Sequence, residues 1–127
     1  MEREGELILS VVPMPCDTNA GGDVFGGWIM SQMELAGAVL AIRAVKGNRV
    51  VTATVSTLDF HKPVFVGDLV TVYGEITKRG RTSIHVHTDV YADRSRGGQE
   101  HVKVTQGDFV YVAIDEDRKP VPIDESE

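Results

Sequence analysis

The sequence predicts an α+β fold: one long central helix wrapped by an antiparallel sheet of about five strands. Three observations carry this. A single stretch, roughly residues 26–46, repeats its apolar residues with a helical period. Residues 49–114 switch to a period near two, in four long β-branched runs separated by turns. A shorter β-rich run, Glu6 to Val12, precedes the helix and is ended by Pro13 and Pro15. With one helix and a meander of strands, the two can only bury their apolar faces against each other.

Taken in order, Cys16 to Gly22 (CDTNAGG) is a loop of turn residues. The helix follows, about Gly26 to Lys46. Asp23 is suited to cap its start, Arg43 and Lys46 suit its last turns, and Gly47 suits its stop. Ile29, Met33, Ala36, Leu40 and Ala44 form its main apolar stripe. Leu35, Ala38, Val39 and Ile42 make the other side apolar too, so burial is expected on both sides, by the sheet and by a second copy of the chain. The strands are then Arg49 to Phe60, Leu69 to Thr77, Thr82 to Tyr91 and Glu100 to Ile114, with Lys78-Arg79-Gly80-Arg81 as a turn. In the third of these, Ile84, Val86, Thr88 and Val90 should face inward, and Ser83, His85, His87 and Asp89 should form a polar outer face. Residues 115–127 (DEDRKPVPIDESE) read as a turn and a loose acidic end.

The 127 residues fit one domain, 1–127, able to bury a core without disulfides or metals. Thirteen Lys+Arg against nineteen Asp+Glu give a net charge of −6 and a pI near 5.1, which argues against a nucleic-acid binder. The single cysteine, Cys16, permits no internal disulfide and suits a reducing compartment. The acidic start shows no signal peptide and no run is long enough to span a membrane, so a cytoplasmic setting and no membrane insertion are expected.

One acid stands out on the helix. Glu34 has Met30, Ser31, Gly37 and Ala38 as its helical neighbours, so the usual surface ion pair is unavailable. A carboxylate on an apolar helix face should be partly desolvated, with a raised pKa suited to a general base. The competing reading is a rim acid paired with Arg or Lys from another segment. Asp23 is explained by capping alone. Eleven residues separate it from Glu34, which on one helix means ~20° in azimuth and ~16 Å along the axis. The two acids cannot meet within one chain, but two antiparallel helices across a two-fold would bring them together. At the helix start, the Gly26-Gly27 amides can hold an anion or polarise a carbonyl, or the glycines simply let the joint pack tightly.

The stretch Asp17 to Glu34 (DTNAGGDVFGGWIMSQME) closely resembles the signature of the YciA-type acyl-CoA thioesterases of the hotdog-fold superfamily. So do Phe60-His61-Lys62-Pro63, Val66-Gly67-Asp68 and Gly80-Arg81-Thr82-Ser83. The resemblance runs from about Pro13 to Pro122. It implies a hotdog fold, working dimers often assembled as trimers of dimers, and hydrolysis of acyl-CoA thioesters. It implies Glu34 as the catalytic carboxylate, where the family more often has Asp, with Asp23 acting alongside the helix acid of the partner. The expected chemistry then has the Gly26 and Gly27 amides receive the oxyanion, while Glu34 either deprotonates the attacking water or attacks directly to form an anhydride. Asn19, Gly26, Phe60, His61 and Lys62 are expected to line the substrate path. Arg79, Arg81, Thr82 and Ser83 are expected to meet the phosphates of coenzyme A, unless that turn is only a solvated hairpin tip. No cofactor is expected, coenzyme A being part of the substrate.

Other chemistries fit less well. His85 and His87 are two residues apart on a strand but have no further ligand at metal-site spacing, so no metal is expected. Cys16 has no flanking motif of a nucleophile, and the glycine-rich loop lacks a P-loop Lys or a dinucleotide fingerprint. A non-catalytic acyl-CoA-binding domain of this fold is the main rival; it needs no helix acid. A hydratase would need a His near the loop-helix joint, and none lies between Met1 and Phe60.

Overall fold

The computed structural model describes residues 5–45, 47, 49–94 and 100–123. Its elements are β1 (Glu6–Val11), one 3-10 turn (Pro15–Asp17), α1 (Gly26–Ala44), β2 (Val50–Phe60), β3 (Leu69–Arg79), β4 (Ser83–Arg94) and β5 (Glu100–Ala113). The strands form one antiparallel sheet in the order β1-β3-β4-β5-β2, with α1 on one face. The α+β architecture read from the sequence is the one observed.

The inward stripe follows the helical period. Ile29, Met33, Ala36 and Leu40 are buried against Val72, Ile84, Val86, Val90 and Phe109, while Ala44 is half-buried. Leu35, Val39 and Ile42, which lie on the other side of α1, are exposed in the single chain. β2 forms the outer edge on this side and pairs only with β5. It carries two bulges, between Thr52 and Thr54 and between Ser56 and Asp59, which bend it around the helix.

Several boundaries differ from the sequence reading. Asp23 is not the N-cap. The Asn19 side-chain carbonyl accepts from the amides of Gly21 (2.8 Å) and Asp23 (3.1 Å), and Thr18 bridges Val24, so the chain closes a small loop before the helix. Phe25 is the residue at the cap, with no side-chain bond. At the other end Val45, extended and buried, closes the helix in place of Gly47; Lys46 lies outside the described residues. β3 continues through Arg79, so the turn is shifted to Gly80–Thr82. After the expected turn, at 115–118, residues 119–123 come back to the sheet instead of hanging loose; the acidic end, 124–127, lies outside the described residues. The amide of Val121 donates to the Ala113 carbonyl and that of Ile123 to Arg81, and Ile123 is buried. No helix among the described residues is long and apolar enough to cross a membrane.

Candidate active site

Glu34 projects from the third turn of α1 into an open groove of about 740 Å³ between the helix and the start of β2. Leu35, Ala38, Val50 and Val51 give the groove apolar walls, and Thr52 and Tyr111 supply its other polar atoms with Ser31. The Thr52 hydroxyl donates to Glu34 Oε2 at 2.7 Å. Glu34 Oε1 has no partner among the described residues, and no basic side chain among them pairs with this carboxylate. The sheet alone does not desolvate it: Glu34 is exposed in the single chain, because the apolar helix face around it (Leu35 is 57% exposed) is open on the side away from the sheet.

Below the carboxylate, Tyr111 reaches up from β5 and donates its hydroxyl to the Glu34 main-chain carbonyl at 2.7 Å. Its burial, and then the nearby charge of Glu34, push the phenol well above its usual pKa, so it stays a donor. Thr52 and Tyr111 face each other in the β2–β5 ladder, so a single row of the sheet holds Glu34 by two different atoms.

The helix start lies elsewhere. The Phe25 carbonyl accepts from the amides of Trp28 (3.1 Å) and Ile29 (3.3 Å), leaving those of Gly26 and Gly27 with no backbone acceptor among the described residues. Gly27 faces open space. Gly26 lies against the Phe60 ring, where an added Cβ would stand 3.4 Å from it. Exposed His61 and Lys62 follow Phe60, and Val24 donates to the Val64 carbonyl, joining the Asn19–Asp23 loop to this segment. Arg94 fixes it from below. Its guanidinium bonds buried Asp68 (3.1 Å) and the Pro63 carbonyl (2.7 Å) and lies 4.9 Å from the centre of the Phe65 ring. The Val66-Gly67-Asp68 motif thus shapes the loop that carries His61 and Lys62.

The residues singled out in the sequence consequently fall into two groups. Asn19, Asp23, Gly26, Gly27, Phe60, His61 and Lys62 surround the helix start. Glu34 stands further along, with Arg79 three strands across in the row Arg79–Ile84–Tyr111–Thr52. Arg81, Thr82 and Ser83 turn at that end, and Arg79 and Arg81 are exposed. Along the helix, Gly27 and Glu34 are ~10 Å apart. Along β5, the partners of Phe60 and Thr52 (Thr105 and Tyr111) are roughly 20 Å apart. One thioester carbonyl cannot reach both groups in one chain. Asn19 spends its side-chain carbonyl on the loop, whereas the Asp23 carboxylate has no partner among the described residues.

Thr52 and Tyr111 were not legible as functional residues, since Thr and Tyr are ordinary members of β-branched and aromatic strand runs. The outer face of β4 is also less solvated than its alternation suggested. Asp89 is buried there, bonded by His87 (3.1 Å) and Lys103 (3.0 Å), and His87 also bonds Asp108 (2.8 Å). No group of three His, Cys, Asp or Glu suited to a metal occurs among the described residues. Cys16 is a free, exposed cysteine.

Comparison with known proteins matches this geometry to a family. The model of the thioesterase superfamily matches residues 21–98. The acyl-CoA thioester hydrolase YciA of Salmonella typhimurium is 47% identical over 123 residues, covering 94% of this chain and 91% of that protein. A hexameric broad-specificity acyl-coenzyme A thioesterase superposes with a TM-score of 0.89 at 42% identity, over 97% of this chain and 84% of the other. The hexameric hotdog-fold thioesterase of Campylobacter jejuni does so with a TM-score of 0.89 at 43% identity, over 97% and 94%. With its helix cradled by a five-stranded antiparallel sheet, the chain belongs to the hotdog-fold thioesterase superfamily and, within it, to the family of the YciA acyl-CoA thioester hydrolases.

Proposed function

We propose that the protein hydrolyses acyl-CoA thioesters at sites shared between two copies of the chain, with Glu34 of one copy opposite the helix start of the other. The observation that carries this is the placement of Glu34. It is a carboxylate with one oxygen held by Thr52 and the other without a partner among the described residues, in an apolar-walled groove, on a helix face whose exposed Leu35, Val39 and Ile42 need a cover. Antiparallel pairing of two such helices about a two-fold covers that face. It brings each Glu34 to the Gly26-Gly27 amides and Asp23 of the other copy, giving two equivalent sites. The exposed edge of β2 runs alongside and extends the same interface.

In this arrangement the Gly26 and Gly27 N–H groups receive the charge that develops on the thioester oxygen, with the helix dipole behind them. Glu34 takes a proton from the attacking water through its free oxygen while Thr52 keeps the other in place. The tetrahedral species then collapses with cleavage of the C–S bond, the departing coenzyme A sulfur takes the proton from Glu34, and the free acid is left with the carboxylate regenerated. Asp23 orients the water or the substrate. Phe60, His61 and Lys62 flank the pantetheine path, and the Arg79–Ser83 turn meets the phosphates. The hexameric assembly of the solved relatives supports a trimer of such dimers. The acidic chain with one free cysteine suits the cytoplasm. No cofactor takes part in this scheme.

The test is thiol release from a panel of acyl-CoAs by the native chain and by Glu34→Gln. Substitution is expected to lower kcat by at least ~100-fold. Retention of most of the activity overturns the assignment of the base, and thiol release from no acyl-CoA by the native chain favours a binding domain instead.

A further inference from the structure

The helix passes unusually close to β5 where it carries Glu34. A Cβ at Gly37 would stand 2.4 Å from the Tyr111 hydroxyl and 3.0 Å from two of its ring carbons, so only glycine leaves room for the phenol there. Tyr111 is 1% exposed, and its ring stacks on Phe109 with centroids 6.2 Å apart. A tyrosine this deep needs an acceptor for its O–H, and it takes the Glu34 main-chain carbonyl at 2.7 Å. That carbonyl is mid-helix and so already has a helical donor available four residues on. The phenol bond is therefore additional to the helix's own bonding. The same ladder row delivers Thr52 to the Glu34 carboxylate. One residue is thus held at its main chain by β5 and at its side chain by β2.

We infer that Tyr111 is a positioning residue for thioester hydrolysis: with Gly37 making room for it, its hydroxyl fixes the rotation of α1 about its axis at Glu34 and so sets where that carboxylate stands in the groove. The inference rests on the proposed role of Glu34. Without the hydroxyl, the Glu34 turn keeps its helical bonds but loses its only described tie to the sheet through the main chain. The carboxylate then swings away from the geometry in which Thr52 and a water both reach it. A misplacement of this kind acts on the chemical step, since substrate binding draws on the apolar walls and the cationic turn.

The decisive variant is Tyr111→Phe, which keeps the ring and its packing. Hexanoyl-CoA hydrolysis is followed by thiol release, alongside circular dichroism and thermal unfolding. The expected result is a folded protein with kcat lowered about tenfold and KM within about twofold of the native value. A kcat within twofold of native overturns the inference. So does a Tyr111→Phe chain that no longer folds, since Tyr111 is then a structural residue only. Glu34→Gln measured in parallel separates the two layers. If it too is active, the assignment of Glu34 has failed; if it is inactive while Tyr111→Phe is native-like, the role of Tyr111 alone has failed. The Gly37→Ala variant adds an internal check. Its methyl collides with the hydroxyl and crowds two ring carbons that phenylalanine keeps, so it breaks the same tie and should lower kcat on its own, and the Gly37→Ala/Tyr111→Phe double variant should be no slower than the worse single one. Losses that multiply instead show two independent effects and overturn the coupling.

Discussion

Thr52 Oγ1 stands 2.7 Å from Glu34 Oε2, joining the edge strand of the sheet to the acid of the helix. A hydroxyl donating to one carboxylate oxygen restricts the rotation of the carboxylate and points the other oxygen at the groove.

Removing that donor without changing shape should slow the chemistry. Thr52→Val is expected to lower kcat about tenfold with little change in KM, and Thr52→Ser should keep most of the activity. Steady-state kinetics on one acyl-CoA decide this, and equal rates for Val and Ser variants would show that the hydroxyl is idle.

Shared sites predict complementation. Glu34→Ala and Asp23→Ala chains, each impaired alone, should recover on mixing and subunit exchange. Half of the dimers are then mixed, each with one intact centre, giving about a quarter of native activity. Exchange demonstrated by mass labels, with no recovered activity, would place both residues in one chain's site.

The exposed Arg79 and Arg81 should act through the nucleotide end of the substrate. Replacing both with Ala is expected to raise KM for acyl-CoA about tenfold. Added salt should raise the native KM and affect the double variant less. A thioester of N-acetylcysteamine, which lacks the phosphates, should hardly distinguish the two proteins.

His87 should make stability depend on pH. Burial lowers its pKa, but its bonds to Asp108 and Asp89 outweigh this and hold it above the ordinary 6.5. Lys103, which also faces Asp89, competes for that carboxylate. A raised folded-state pKa stabilises the fold fully below about 6.5, and the contribution fades as pH rises through the raised value. Asp108→Asn should therefore cost about 1 kcal/mol near pH 6 and much less near pH 8.5. Denaturant unfolding at both values measures it, and an equal cost at the two pH values would show that His87 is not charged in the fold.

Much of this architecture was legible because burial follows period. Of the stripe, Ile29, Met33, Ala36 and Leu40 are buried and Ala44 is half-buried, and Ile84, Val86, Thr88 and Val90 are buried as well. Glu34 could be picked out because helical spacing fixes its neighbours, and none of them is basic. Its surroundings could not be read the same way, because they come from strands eighteen and seventy-seven residues away in sequence. The start of the helix at Gly26 was legible, but Asp23 does not cap it, for a local reason: Asn19, four residues earlier, ties Asp23 into the preceding loop and leaves Phe25 at the cap. The turn after Asp115 was legible, whereas the return of residues 119–123 to the sheet was not, because it depends on Val121 and Ile123 finding partners, Ala113 and the distant Arg81, that only the folded sheet presents.

The distance between Glu34 and the glycine amides at the head of the same helix has a consequence for regulation. On the shared-site reading each folded chain carries two incomplete halves of the machinery, both completed by the same partner, so a solitary copy is well formed yet inert. Dilution then acts as an off switch that leaves every element intact. Specific activity should climb with enzyme concentration until assembly saturates, and anything that wedges apart the Leu35–Val39–Ile42 faces would inhibit without ever entering the groove.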